Sequence, residues 1–366
     1  MGCDKERISV ALLGILPPPN GGIASWTKRM LSSEYMEAGA NLYLVDERLS
    51  KGRAVFGSAS KRNLFDEIGR CVRIWKDLNR CIKQNSVDVV HANIPAFPLS
   101  MLREIGCAVV AKANHSKFVI HFRCTVPVAA RGKVSRWILG RILSLSDAAI
   151  VLNQRSLDFV KSISDTNAYL IPNFVSEVDI PNLMETNFQR SSGPLMRVLY
   201  AGGLIEEKGV LDVIAVAKRL PAVEFRLAGE GDALDGLDVP GNVTMLGSLD
   251  KDALRLEYQF ADAFLFLTRF QGEGFSNSLV EAMSYALPCV CTEWAANRDM
   301  VGDYPELVVP IRDVDSAQYA LTLLDDPDFR REVGESNQRK VLSDYRESVV
   351  AQKYLTVYRG VCLGRN

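Results

Sequence analysis

The sequence lacks any apolar stretch that approaches the ~20 residues a membrane-spanning helix needs. It has only three histidines, and none of its eight cysteines belongs to a C-x-x-C pair. Several cysteines lie in apolar runs, such as PCVCT at 288–292, where a buried and reduced thiol is typical. The first residues, MGCDKERISV, are charged, which does not suit a signal peptide. These absences argue against a membrane span, a zinc site and a disulfide framework, and they favour a reducing cytoplasm.

Common cofactor and nucleotide motifs are missing as well. The glycine loops have neither the G-x-G-x-x-G order of dinucleotide-binding folds nor the G-x-x-x-x-G-K-[ST] order of P-loops. No glycine-rich loop contains Asp-x-Asp, and no cluster of histidine and cysteine is visible. We therefore expect no bound metal and no cofactor. We also expect no nucleic-acid partner, because no recognition module is visible.

The 366 residues suit two domains of medium size, and their charge is unevenly divided. Residues 1–190 carry 25 Lys and Arg against 17 Asp and Glu, a net charge of +8. Residues 191–366 carry 18 against 27, a net charge of −9. The basic residues cluster at 50–62 and 131–141. These clusters are either solvated loops and helix faces or a surface for an anionic acceptor or a lipid headgroup layer.

Short apolar runs alternate with longer amphipathic stretches throughout the chain. Continuous apolar runs are typical of strands buried on both faces, as in a parallel sheet covered by helices. The pattern therefore predicts an α/β protein with two Rossmann-like, doubly wound domains. We expect strands at 8–16, 41–45, 87–92, 107–112, 118–122, 147–153, 168–172, 197–202, 223–229, 242–247, 262–267, 288–292 and 306–310. We expect helices at 23–38, 62–84, 208–220, 250–260 and 277–286.

The stretch 176–196 is polar, contains proline and glycine and has no clear period, which predicts a linker. The two domains are then expected at 1–175 and 197–345, each with its ligands at the carboxyl ends of its strands. The final stretch, 346–366, has helical apolar spacing and could pack on either domain.

Glycine-bearing loops follow several of the predicted strands. Gly21 and Gly22 precede a predicted helix, whose free N–H groups can bind an anion. The loop AGGLIEEKG ends near Lys208, a residue that can pair with a phosphate. Taken one at a time, these loops are equally well explained as tight turns with solvated charges. Other glycines at predicted strand ends are Gly202, Gly203, Gly229 and Gly247.

The segment EGFSNSLVEAM places Glu273 and Glu281 eight residues apart, across a glycine turn and a predicted helix start. On a single helix their Cα atoms would be ~12 Å apart, whereas a glycosidase pair needs carboxyl groups ~5–9.5 Å apart. Two carboxylates that grip hydroxyls, with helix N–H groups between them for an anion, better fit a nucleotide-sugar. As alternatives, Ser278 and Glu281 fit a capping box, and Glu273 fits a solvated acid.

Several segments, in order, make the sequence resemble the retaining glycosyltransferases of the GT-B fold, family 4 (glycosyl transferases group 1). The resemblance is strong over 197–300, moderate at 8–30 and thin across 40–170. It implies two Rossmann-like domains that face a central cleft, with a C-terminal helix that crosses back to the first domain. The segments are NGGI (20–23), GGLIEEKG (202–209), LAGEGD (227–232), NVTMLG (242–247) and ADAFLFLTRFQGEGFSNSLVEAMSYALPCVCT (261–292).

The resemblance also implies roles for donor-site residues. Glu281 would hold the ribose hydroxyls of the donor nucleotide. Glu273 would hold the transferred sugar, and Lys208 would contact the diphosphate together with the Gly21–Gly22 loop. The remaining candidates for donor binding are Gly202, Gly203, Gly229, Gly247, Gly274, Phe275, Ser276 and Asn277.

The stretch VIHFRCT resembles the family segment that carries an active-site histidine, which makes His121 the third catalytic candidate beside Glu273 and Lys208. The simpler alternative is a satisfied histidine at a strand end. One departure from the family concerns Gly203, where members usually have an arginine for the phosphate. Arg269 and Arg298 are candidates to replace that cation.

The sequence therefore predicts a retaining, metal-independent glycosyltransferase that uses a UDP- or GDP-linked sugar. The acceptor is expected to be a glycan or lipid-linked molecule in cell-surface polysaccharide assembly, reached from the cytoplasm with the basic N-terminal domain at the inner membrane face. Two alternatives stay open: a nucleotide-sugar epimerase or hydrolase of the same fold, and a non-catalytic scaffold that only binds nucleotide-sugars.

Overall fold

The computed structural model describes residues 7–18, 21–48, 64–182 and 190–364. The chain divides into two compact units, Met1–Asn173 with Glu347–Asn366, and Phe174–Arg346. The basic stretch predicted as a binding surface at 50–62 lies outside the described residues, and so do residues 183–189 of the predicted linker.

The N-terminal unit is built on a six-stranded sheet in which every strand is parallel to its neighbours. The strand order is β2-β1-β3-β4-β5-β6, so the order reverses between β1 and β3. The strands are β1 (Ile8–Gly14), β2 (Ala40–Asp46), β3 (Val89–Ile94), β4 (Lys117–Phe122), β5 (Ala148–Val151) and β6 (Ala168–Leu170). The helices are α1 (Gly22–Leu31), α2 (Glu34–Gly39), α3 (Leu64–Asn85), α4 (Pro98–Ala113), α5 (Val126–Ala129), α6 (Lys133–Leu145) and α7 (Gln154–Ile163).

The main core of this unit lies between the sheet and the layer formed by α3, α4 and α6. Phe118, Ile120 and Phe122 of β4 point into it and are fully buried. Each helix contributes one apolar face at helical spacing, as α6 does with Ile138, Leu139, Ile142 and Leu143.

The strand predicted at 107–112 is wrong, because these residues belong to α4. An apolar run such as CAVVA has no period that separates a strand from a buried helix. The buried residues of α4 recur at helical spacing: Met101, Glu104, Cys107, Ala108 and Ala111. The helix predicted at 23–38 is interrupted, because α1 ends at Leu31 and Ser33 caps α2 by accepting a hydrogen bond from the Met36 amide.

The C-terminal unit has a second six-stranded parallel sheet, in the order β12-β11-β10-β7-β8-β9. The order reverses between β7 and β10. The strands are β7 (Arg197–Ala201), β8 (Glu224–Ala228), β9 (Val243–Gly247), β10 (Ala263–Phe266), β11 (Cys289–Thr292) and β12 (Val308–Val309). The helices are α8 (Val210–Arg219), α9 (Lys251–Phe260), α10 (Asn277–Ser284), α11 (Asn297–Val301), α12 (Val314–Leu323) and α13 (Pro327–Lys340).

Two parallel sheets covered by helices confirm the predicted α/β class with two doubly wound domains. The last helix, α14 (Glu347–Leu363), groups with the N-terminal unit, where it packs on α2. Among the described residues, no helix is both long enough and apolar enough to span a bilayer.

We expect Gly106→Ala to destabilise the N-terminal unit. A Cβ at Gly106 of α4 would lie 2.2 Å from Cε2 of Trp75 in α3, so the indole ring would have to move. Overpacking of this kind costs about 1–3 kcal/mol. Gly140→Ala in α6 is the matched control, because its Cβ would have no neighbour within 4 Å and alanine favours a helix. Denaturant unfolding should rank Gly140→Ala at or above the wild type and Gly106→Ala below it; equal stabilities would contradict the packing.

Candidate functional site

The strongest candidate site lies at the carboxyl edge of the C-terminal sheet. In a doubly wound sheet, ligands bind where the strand order reverses, because the loops on either side of that point diverge. Here the reversal lies between β7 and β10. The loop after β7 carries Gly202, Gly203 and Lys208, and the loop after β10 carries Glu273 and leads into α10. The topology therefore brings the predicted phosphate loop and the EGFSNSLVEAM segment to one place.

An ion pair joins the two loops. Lys208 Nζ contacts Glu273 Oε2, and the side chains are 20% and 11% exposed. The ammonium also lies over two aromatic rings, 5.5 Å from the centroid of Phe266 and 5.2 Å from that of Phe270. Partial burial makes each charge depend on the other, because an unpaired charge there would lose hydration without compensation. Near them, burial and then Glu273 raise the pKa of Tyr200, whose hydroxyl donates to the Gly203 carbonyl at 2.8 Å.

The glycines of this region let loop backbones approach each other. A Cβ at Gly229 would lie 1.9 Å from the Gly202 carbonyl oxygen. The Gly229 amide donates to the Gly247 carbonyl at 2.8 Å, which joins the loops after β8 and β9. Gly209 adopts φ 79° at the start of α8, directly after Lys208. Gly203 differs, because it is exposed and a Cβ there would meet only the Glu230 carbonyl oxygen, at 3.9 Å.

The start of α10 corrects one alternative for Glu281. The helix begins at Asn277, so its N-cap is Ser276 and not Ser278. The third residue after that cap is Leu279, and the Ser278–Glu281 capping box is therefore wrong. Ser276 makes no side-chain cap hydrogen bond; its hydroxyl donates to Asn297 Oδ1 at 2.8 Å. The first turn of α10 thus receives no acceptor from its own cap residue, as an anion-binding helix start requires.

The other residues of the segment are placed differently. Phe275 is buried, and its ring lies 5.4 Å from that of Tyr345. Gly274 is buried, while Asn277 and Glu281 are half-buried. Glu281 lies four residues into α10, about 6 Å along the axis from Asn277.

The candidates for a replacement cation are both engaged by acids. Arg269 pairs with Asp212 Oδ2 at 2.9 Å and with Glu206 Oε1 at 2.8 Å. Arg298 is exposed and pairs with Glu293 Oε1 at 2.5 Å. The Arg269 pairs hold the loop after β10 on α8 and the loop after β7, which is a structural role.

His121 belongs to the N-terminal unit and is fully buried. Arg123 Nη1 donates to His121 Nε2 at 3.2 Å, since a guanidinium can only donate. The neutral ring then carries its proton on Nδ1, which lies 3.2 Å from His91 Nε2. His91 in turn donates from Nδ1 to the Tyr358 hydroxyl at 2.7 Å. Both ring nitrogens of His121 are thus occupied within the unit, and its catalytic role stays a prediction.

Arg123 is a residue that the sequence reasoning missed. It follows β4 directly and is 7% exposed, and no carboxylate pairs with it in the described part of the chain. Instead it donates to Asn173 Oδ1 at 2.6 Å and stacks on Trp26 at 5.0 Å. Burial lowers the pKa of Arg123 to about 10, so it stays charged at neutral pH. The only sequence signal was a charged residue at the end of an apolar strand.

Gly21 and Gly22 lie after β1, also in the N-terminal unit. Gly21 is the N-cap of α1 in extended conformation, and a Cβ at Gly22 would meet no atom within 4 Å. A cavity of about 420 Å³ lies beside them, lined by Ile15, Ile23, Asn93 and residues of α3 and α4. A cavity of about 430 Å³ in the C-terminal unit lies at the opposite sheet edge, beside Asp262 and Pro288. None of the predicted site residues lines either cavity.

The described residues contain no group of three or more His, Cys, Asp or Glu side chains that could hold a metal ion. At the candidate site, the Lys208 ammonium and the amides at the start of α10 are groups that can bind an anion.

Comparison with known proteins identifies the family to which the domain with this site belongs. The family described as glycosyl transferases group 1 matches residues 196–326. Residues 196–326 form a group 1 glycosyltransferase domain. The glycosyltransferase is 25% identical over 321 residues to the phosphatidyl-myo-inositol mannosyltransferase of Propionibacterium freudenreichii subsp. shermanii, covering 85% of this chain and 80% of that relative.

Solved structures show that the glycosyltransferase has the GT-B fold. Sucrose-phosphate synthase from Thermosynechococcus elongatus superposes with a TM-score of 0.75 at 16% identity, over 97% of this chain and 99% of that one. HepE of Anabaena, solved in complex with UDP-glucose, superposes with a TM-score of 0.66 at 15% identity, over 96% of this chain and 99% of that one. The predicted fold is therefore confirmed, and the family match and the curated relative confirm the predicted glycosyltransferase class.

The buried histidines should make the glycosyltransferase sensitive to acid. Burial, and then Arg123, lower the pKa of His91 from 6.5 to about 3, and burial, Arg123 and His91 lower the pKa of His121. The unfolded chain therefore binds protons first, so stability is full above about pH 6.5 and falls as the pH drops toward 3, by about 1.4 kcal/mol per pH unit for each proton. Thermal unfolding across this pH range should show that His91→Gln loses less stability at acidic pH than the wild type does.

His115→Gln is the matched control, because His115 is exposed. This variant should lose as much stability at acidic pH as the wild type does. An unchanged pH profile in His91→Gln would contradict the buried neutral histidine.

Proposed function

We propose that this glycosyltransferase moves a sugar from a UDP- or GDP-linked donor to an acceptor hydroxyl, with retention at the anomeric carbon and without a metal ion. The observation that carries the proposal is the Lys208–Glu273 pair at the point of strand-order reversal, directly before the start of α10. The fold shared with HepE in complex with UDP-glucose supports a nucleotide-sugar donor.

Glu273 suits the sugar end of such a donor. A carboxylate accepts hydrogen bonds from sugar hydroxyls, and neighbouring backbone amides at 274–276 add donors for the same ring. Its partial burial shields these bonds from water, which strengthens them. In the absence of the donor, Lys208 pairs with this carboxylate.

Lys208 suits the leaving diphosphate. An ammonium has three N–H donors, so it can stay on Glu273 and still donate to a phosphate oxygen. In this proposal the amides at the start of α10 donate to the same charge, and the helix dipole favours it. Fixed donors that meet charge as it develops lower the barrier of the chemical step without a metal ion. In this proposal the leaving phosphate, on the same face of the sugar, accepts the proton of the attacking hydroxyl.

Glu281 suits the ribose of the nucleotide. It lies one helical turn beyond the anion-binding start of α10, in the order sugar, diphosphate and ribose along the segment. With the capping box ruled out, Glu281 is not the reciprocal partner of the helix cap.

The acceptor is proposed to be a glycan or a lipid-linked molecule at the inner membrane face, in cell-surface polysaccharide assembly. The net charge of +8 on residues 1–190 supports a basic surface toward anionic lipid. The relative named phosphatidyl-myo-inositol mannosyltransferase supports a lipid-linked acceptor. A thermal-shift screen with UDP-, GDP- and ADP-sugars identifies the donor, and radiolabel from that donor on a membrane extract then reports transfer. Donor binding without transfer would favour the scaffold alternative.

Glu281→Gln should weaken nucleotide binding. Hydrogen bonds to a charged group contribute about 1.5–3 kcal/mol, so the Kd of the identified nucleoside diphosphate should rise by about 10- to 100-fold in calorimetry. Glu306→Gln changes an exposed glutamate in the same unit and should leave the Kd unchanged. An unchanged Kd in Glu281→Gln would refute the ribose assignment.

Lys208→Met should slow transfer far more than it weakens binding. Removal of one donor to the developing charge costs about 2–4 kcal/mol, which corresponds to about a 30- to 1000-fold lower kcat in the radiolabel assay. Lys218→Met removes an exposed lysine of α8 and serves as the control. Wild-type turnover in Lys208→Met would overturn its role.

A further inference from the structure

The outer face of α6 presents large apolar side chains beside cations. Val134 is 70% exposed and Trp137 is 66% exposed. Four basic residues on and next to the same helix are exposed as well, and no acidic residue occurs from Arg131 to Ser146. We call this set the docking face: Arg131, Lys133, Val134, Arg136, Trp137 and Arg141.

Trp137 is exposed because the opposite face of α6 fixes the helix to the core. The opposite face of α6 is buried against the sheet and α4 through Ile138, Leu139, Ile142 and Leu143. Trp137 directly precedes these core residues, so it cannot turn inward without pulling them out. The helix is thus held with its apolar and cationic side chains toward solvent, where a large exposed indole costs free energy unless something covers it.

The neighbouring helix extends the apolar surface. α4 lies in the same layer as α6, on the same face of the sheet. Its solvent side carries Leu99, Leu102 and Val109, which are 64%, 47% and 55% exposed. Two adjacent helices therefore leave apolar side chains uncovered on one side of the N-terminal unit.

The chemistry of the docking face matches an anionic bilayer surface. Tryptophan favours the headgroup region, because its ring is apolar and its N–H can still bond water or lipid. Arginine and lysine beside it can reach lipid phosphates while their stems lie along apolar surface. No carboxylate occurs over these 16 residues, so the segment itself carries only positive charge. An amphipathic helix of this type lies in the plane of the interface and does not span it.

We propose that the docking face seats the N-terminal unit on an anionic lipid bilayer, with Trp137 and Val134 in the headgroup region and the four cations on lipid phosphates. The inference deepens the proposed function, because it names the surface that would bring the glycosyltransferase to a membrane-bound acceptor. It requires no donor and no transfer, and it can be tested apart from them.

Co-sedimentation of the full chain with vesicles tests the proposal. Vesicles of equal parts phosphatidylcholine and phosphatidylglycerol should bind the wild type, and vesicles of phosphatidylcholine alone should bind it much less. The double variant Arg136→Gln and Arg141→Gln should weaken binding by about fivefold for each cation, which corresponds to about 1 kcal/mol each. Added salt should weaken wild-type binding, because screening acts on the same attraction. Trp137→Ala should weaken binding at every salt concentration.

Matched variants keep the test specific. Tyr319→Ala removes an aromatic residue that is 64% exposed on α12, and Arg331→Gln with Arg339→Gln removes two exposed arginines of α13. Both should bind vesicles like the wild type. Tryptophan emission should shift to the blue on anionic vesicles in the wild type and not in Trp137→Phe.

The proposal is overturned if the wild type does not bind anionic vesicles, or if the docking-face variants bind them like the control variants. Each variant is also checked for its thermal shift with the donor identified above. Vesicle binding without any donor response would count against the proposed function alone, and a donor response without vesicle binding would count against the docking face alone.

Discussion

Parallel strand pairing is the constraint on which the rest of this structure depends. Every described pair of neighbouring strands in both sheets is parallel, so each strand must be followed by a crossover that returns the chain to the other edge. Helices make most of these crossovers and cover the sheets, and central strands such as β1, β3 and β10 are buried along their whole length. The carboxyl ends of all strands then meet at one edge, and the loops there are free to carry chemistry.

The same constraint explains why two residues 65 positions apart can act as one unit. Lys208 follows β7 and Glu273 follows β10, and these strands are adjacent because the strand order reverses between them. Two contacts hold the loop that carries Glu273: Arg269 pairs with Asp212 of α8, and Trp294 Nε1 donates to the Phe270 carbonyl at 2.8 Å. A partly buried pair held this firmly is preorganised, so little reorganisation is needed when a ligand brings new charge.

Much of the fold could be predicted from sequence, because buried parallel strands and amphipathic helices differ in period and length. The prediction failed where period carries no information, as in the CAVVA run of α4, and where a capping serine splits one helical stretch into two. The family resemblance indicated which residues belong to the candidate site, but the contacts between them could not be predicted from sequence spacing. The N-cap of α10 is Ser276, two residues earlier than Ser278, which removed the capping box. A hydrogen-bonded chain from Arg123 to Tyr358 occupied the ring of His121.

The two units place their cations in different surroundings, and the difference bears on function. In the C-terminal unit, Lys208 faces a carboxylate and keeps part of its surface exposed, so a ligand phosphate can share it. In the N-terminal unit, Arg123 is buried among neutral acceptors and an indole ring, and burial first and Arg123 second lower the pKa of His91 and His121. A charge that must respond to a ligand needs an exchangeable partner and a path to solvent, whereas a charge that fixes a core needs neither. On that physical ground the chemistry of this glycosyltransferase is expected at Lys208 and Glu273, and the histidine cluster is expected to hold the N-terminal sheet and α14 together.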